Sequence, residues 1–117
     1  MDELRMRKAY RVKKEKEFQK VFHTGKSFAN RKFIVYILEK PDQTHFRVGL
    51  SVGKKVGNAV HRNAVKRKIR ASITSLHDEI RSDLDFIVIA RPSTVDLASQ
   101  EVYSNLKHVF ALAGIIK

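Results

Sequence analysis

The chain is 117 residues long, the size of one ordinary domain, and carries 24 Lys and Arg against 12 Asp and Glu, a formal net charge of +12. Hydrophobic residues make up 43%, enough for a core and too many for a disordered polycation. Cysteine is absent, which excludes disulfides, thiolate zinc sites, iron–sulfur clusters and cysteine nucleophiles, and there is neither a membrane-length apolar run nor a secretory signal after Met1-Asp2-Glu3-Leu4-Arg5.

In chain order, residues 1–8 read as a flexible basic N-terminus of a single domain, 1–117. Lys14 to Thr24 reads as a helix, with Phe18, Val21 and Phe22 on one face and Gly25 as its stop. Phe28-Ala29 is a short extended piece. Phe33 to Leu38 is aromatic and β-branched, a strand. Turn residues Lys40 to Gln43 follow, so Phe46 to Val52, which alternates apolar and polar, is expected to pair back on it antiparallel. Gly53 and Gly57 bracket a loop with Lys54 and Lys55. A long helix is expected from Asn58, its cap, to Ile80, with Val65, Ile69, Ile73, Leu76 and Ile80 facing the core. Asp85 to Ala90 reads as a buried strand ended by Arg91-Pro92. A last helix runs from Ser99 to Ala113 and stops at Gly114. The order α-β-β-β-α-β-α is that of an α+β sandwich, helices packed on a four-stranded sheet.

The charge is concentrated. Residues 1–70 hold a net +14 and residues 71–117 a net −2. Between Asp42 and Asp78 there is no acidic residue, while Arg47, Lys54, Lys55, Arg62, Lys66, Arg67, Lys68 and Arg70 fall in that window. Like charges four apart on a helix repel by a few tenths of a kcal/mol, so such a run points to an external polyanion. On a helix, Arg62, Lys66 and Arg70 stack along one ridge and Asn63 and Arg67 along the next, beside the apolar stripe. A row of cations of this kind tracks phosphates. Phe18 and Phe22 fit a core at helical spacing; in so basic a domain they also fit stacking platforms for unpaired bases. The hydroxyl of Tyr36 suggests an edge strand. The five histidines have no metal-ligand spacing and read as surface or RNA-contacting residues. Asp83 reads as a turn residue, and with Asp85 it makes no nuclease cluster.

Five segments, in order, resemble the bacterial ribonuclease P protein family over nearly the whole chain: Phe18-Gln19-Lys20-Val21-Phe22, Ala29-Asn30-Arg31-Lys32-Phe33, Arg47 to Val52 leading into Lys54-Lys55, Gly57 to Arg70 with its Arg62-Asn63 and Lys66-Arg67 pairs, and Asp85 to Arg91. The resemblance implies a mixed sheet with an uncommon left-handed crossover between parallel strands, against the usual hand. It implies a cytoplasmic RNA-binding subunit, monomeric and one copy per RNA, that partners a large catalytic RNA and helps remove the 5′ leader of precursor tRNA. Contacts to the catalytic RNA then fall on Arg62, Asn63, Lys66, Arg67 and Arg70. The leader falls in a cleft of Phe18, Phe22 and Tyr36 with Lys54, Lys55 and Arg91 at the rim. No catalytic residue, metal or cofactor is expected on the protein; Mg²⁺ would be held by the RNA. The chain departs from the family pattern at Ala64, where a cation often stands, and at Pro92, which follows Arg91 directly. The rival readings are a ribosomal or general single-strand RNA-binding protein, a protein endonuclease acting alone, and a helix-turn-helix DNA binder; the last would need a short helix where strand and glycine loop are expected.

Overall fold

The computed structural model describes residues 8–116. The expected flexible N-terminus lies outside them except for Lys8, which opens a short 3-10 turn, Lys8–Tyr10. The elements are α1 (Glu15–Thr24), β1 (Lys26–Ala29), β2 (Phe33–Glu39), β3 (Arg47–Val52), α2 (Ala59–Ser75), β4 (Leu84–Ala90) and α3 (Ser99–Leu112), with further 3-10 turns at Lys54–Val56, His77–Glu79 and Pro92–Asp96. Among the described residues no helix is long and apolar enough to cross a membrane.

The sheet has the order β1-β2-β4-β3. β2 pairs antiparallel with both β1 and β4, and β3 pairs parallel with β4. The expected hairpin between Phe33–Leu38 and Phe46–Val52 is therefore not formed; β4 lies between them. The sequence of β4 gives the reason. Leu84 to Val88 are all buried, the pattern of a strand covered on both faces, so it takes the centre. The turn at Lys40 closes as expected, with Gln43 N donating to Lys40 O (3.1 Å), but the chain then crosses the end of β4. Gln43 Nε2 holds it there on the carbonyl of Leu84 (3.1 Å). Tyr36 likewise sits on an interior strand, not an edge.

The ladder sorts side chains onto two faces. Phe33, Val35 and Ile37 pair with Ala90, Val88 and Phe86 and share one face. With Val65, Ile69 and Ile73 of α2 and Val102, Leu106, Val109 and Phe110 of α3 they form the main core. Phe33, Phe86 and Phe110 are fully buried, each contributing about 1.5–3 kcal/mol by area. The opposite face carries Ile34, Tyr36 and Leu38, their partners Ile89, Ile87 and Asp85, and then Ser51, Gly49 and Arg47. Only α1 covers it.

One helix end differs from expectation. α2 is capped by Asn58, whose Oδ1 accepts from His61 N (3.0 Å), but it stops at Ser75 rather than Ile80. Asp78 and Glu79 would place negative charge at a helix C-terminus, where the dipole is already negative. A 3-10 turn takes over, and Leu76 and Ile80 stay buried. Gly25 stops α1 as expected, in extended conformation (φ −82°). At Gly114 (φ 74°) the expected stop is a Schellman motif, with Ile115 N donating to Phe110 O (2.9 Å) and Gly114 N to Ala111 O (3.2 Å).

Candidate nucleic-acid interface

α1 lies over the second face of the sheet and anchors itself by Val21, which is fully buried. Phe18 and Phe22, one turn apart, are only half-buried, as is Tyr36. The rings of Phe18 and Phe22 lie 6.4 Å apart, and Phe22 meets Tyr36 edge-on at 5.0 Å. The structure thus joins the three predicted aromatics into one cluster at the junction of α1 and β2, outside the main core. Gly49 of β3 makes room for it: a Cβ there would fall 2.6 Å from Phe18 Cζ. The ring of Phe18 rests on bare strand backbone. A glycine inside a strand pattern is a signal of such close approach, and Gly49 is the residue that sequence reasoning passed over.

Beside this cluster runs the basic face of α2. Arg62, Lys66 and Arg70 are half-buried along one ridge, while Asn63 and Arg67 are exposed on the next, as the spacing of four predicts. None of these cations pairs with an acid among the described residues. The Nε atoms of Arg62 and Arg70 are buried without a hydrogen-bond partner there. Burial, with the neighbouring Arg11 guanidinium, pushes the pKa of Arg70 below its ordinary value. Buried donors without acceptors are costly, so this ridge carries an uncompensated polar burden. Lys66 and Arg70 also line a cavity of about 130 Å³ with Arg11, Phe18, Gly49 and Leu50. The ridge and the aromatic cluster are therefore one continuous surface.

The third group gathers at one end of the sheet. Val52 and Ala90 are partners in the parallel ladder, so β3 and β4 end together. Exposed Lys54 and Lys55 follow the first and exposed Arg91 the second. Arg91 N donates to Lys32 O (3.0 Å), which brings the Arg31-Lys32 turn to the same rim. Asn30 fixes that turn: its Oδ1 accepts from Lys32 N and Phe33 N (both 2.9 Å) and its Nδ2 donates to Asn105 O (2.9 Å).

Two cations of the acid-free window are used inside the protein. Lys68 Nζ donates to Leu97 O (2.7 Å). Arg47 forms a two-pronged bond to Asp85, Nε to Oδ1 at 3.0 Å and Nη2 to Oδ2 at 2.7 Å, and gives Nη1 to Glu17 Oε2 at 3.0 Å. Asp83, in the turn before β4 as expected, is held by Arg81 at 2.9 and 3.1 Å. The hydrogen bond from Arg81 keeps its carboxyl below the usual range. His45 and His77 are half-buried and pack on Tyr10, with ring centroids at 4.1 and 5.6 Å.

The family model described as Ribonuclease P matches residues 6–114. The chain belongs to the ribonuclease P protein family. Among relatives, the ribonuclease P protein component of Enterococcus faecalis is 66% identical over 111 residues, covering 95% of this chain and 94% of that one. A solved Staphylococcus aureus RNase P protein, described as a mutant with defective mRNA degradation activity, superposes with a TM-score of 0.88 at 42% identity, over 93% of this chain and 92% of its own. The Thermotoga maritima RNase P protein gives 0.79 at 26% identity, over 92% and 97%. Against the ribonuclease P pattern, Ala64 sits half-buried on α2, and Pro92 opens the 3-10 turn after β4, where proline's fixed φ suits the first position.

Proposed function

We propose that the chain is the RNA-binding protein subunit of the ribonucleoprotein endonuclease ribonuclease P and acts in tRNA 5′ maturation. α2 grips the catalytic RNA through Arg62, Asn63, Lys66, Arg67 and Arg70. The cleft of Phe18, Phe22 and Tyr36, rimmed by Lys54, Lys55 and Arg91, takes the single-stranded leader of precursor tRNA. The observation that carries the reading is the continuity of an unpaired cation ridge with a half-buried aromatic cluster, phosphate-binding and base-stacking chemistry on one surface.

The protein binds and orients; the hydrolytic chemistry is assigned to Mg²⁺ held by the RNA. Supporting this, Asp83 and Asp85 are each engaged by an arginine. Stacking is blind to base identity, so the cleft also suits other unpaired RNA, including message, the substrate named for the Staphylococcus aureus relative. The expected setting is the cytoplasm, with one protein per RNA.

The test is reconstitution. Purified protein is expected to leave precursor tRNA intact and, with a bacterial catalytic RNA and Mg²⁺, to speed release of the leader. Cleavage by the protein alone, abolished by Asp83→Ala or Asp85→Ala, would overturn the reading.

A further inference from the structure

We propose that Arg47 and Glu17 are positioning residues for the leader cleft: they latch the first turn of α1 to the sheet and so hold Phe18 over Gly49. The proposal rests on the reading of that cleft as the leader site.

The latch starts from Asp85, a carboxylate only 1% exposed within an apolar strand. Arg47 is its ladder partner on β3, so both side chains leave the same face of the sheet, the face under α1. The two-pronged bond fixes the plane of the guanidinium, and Lys40 Nζ adds a third cationic contact at 3.6 Å. The remaining prong, Nη1, then has one direction to point, toward Glu17 on α1. Hydrogen bonding to Asp85 raises the pKa of Arg47 despite its burial, so the fork stays charged.

Glu17 does two jobs with two oxygens. Oε2 takes Arg47, and Oε1 accepts the backbone N–H of Lys13 and Lys14 (both 3.3 Å) at the start of α1. Desolvation raises its pKa, but the hydrogen bonds from Arg47 and the two backbone N–H groups outweigh this and leave the carboxyl below its ordinary range. The next residue is Phe18, and the residue two beyond Arg47 on the same face of β3 is Gly49. Latch and platform are thus adjacent rungs of the same two elements. For stability alone a buried ion network is a poor device, often replaceable by apolar packing. Its strength is orientation, and α1 has a single fully buried residue, Val21, to orient it otherwise.

The test uses holoenzyme assembled with catalytic RNA, leader-bearing and mature tRNA, and 2-aminopurine placed in the leader as a stacking probe. Glu17→Gln keeps an oxygen for the cap but loses the charge. Arg47→Lys keeps the charge but loses the fork. Both are expected to assemble with the catalytic RNA within about twofold of wild type and to lose about threefold to tenfold of the preference for leader-bearing tRNA. Quenching of the probe falls in parallel. Full preference and quenching in both variants, while Phe18→Ala loses them, would overturn the positioning role. So would early melting with equal loss of catalytic-RNA and leader binding. Phe18→Ala that keeps the preference would sink the cleft reading itself.

Discussion

At the scale of single residues, the same side-chain type serves opposite ends. Arg47 and Arg67 both fall in the acid-free window, yet one is locked to Asp85 and the other is exposed and unpaired. The fate of Arg67 is legible from spacing, because i,i+4 positions on a helix must share a ridge. The fate of Arg47 is not, because its partner lies 38 residues away and meets it only through the parallel ladder. This difference sets what substitution does. Arg67→Ala leaves folding unaffected, since the side chain touches no acid among the described residues. It is expected to flatten the dependence of log affinity for the catalytic RNA on log salt by roughly 0.7–0.9, the share of one phosphate contact. Titrations at several salt concentrations check this; a slope unchanged from wild type removes Arg67 from the interface.

Elements are legible in the sequence where local chemistry decides them and not where a distant strand does. The cap at Asn58, the Gly114 stop and the stripe Val65-Ile69-Ile73 are local, and they stand as expected. The partner of β3 is not legible from its own residues, because alternation says only that one face is wet; it does not say which strand lies alongside. The sequence signal is in β4, whose apolar run from Phe86 to Ala90 fits a strand covered on both faces. Gly25 shows a subtler case. Its role as a stop was correct, but the need for glycine comes from elsewhere: an added Cβ would lie 2.5 Å from Val21 O and closer still to Ile37 O. Both are backbone atoms, which cannot swing aside as a side chain can. Gly25→Ala is therefore expected to cost about 1–3 kcal/mol as α1 is pushed off β2. Thermal melts measure it; a variant as stable as wild type would show that α1 floats freely on the sheet.

On the scale of the whole molecule, the charge asymmetry becomes a spatial division. The N-terminal part supplies α1, Tyr36 of β2, the rim lysines and α2, all of the proposed RNA surface except Arg91. The C-terminal part supplies β4 and α3, which fill the core behind it. Binding of two RNAs by one small body raises the question of whether the two contacts are independent, and the geometry gives different answers for neighbouring arginines. Arg67 lies on the outer ridge, away from the aromatics. Arg70 lines the same cavity as Phe18 and Gly49. Substitutions at sites without shared partners add to within roughly 0.3–0.5 kcal/mol, whereas those sharing a cavity couple by about 0.5–3 kcal/mol. In precursor-tRNA binding by the assembled holoenzyme, Arg67→Ala with Phe18→Ala is expected to be additive. Arg70→Ala with Phe18→Ala is expected to fall short of additive, because both side chains line one cavity and loss of either loosens the seat of the other. Phe18→Ala alone should lower the preference for leader-bearing tRNA by roughly tenfold, the worth of one stacked base. The two double-mutant cycles decide it: additivity in both would separate the ridge from the cleft, and coupling in the Arg67 cycle would mean that α2 presents both of its ridges to the substrate.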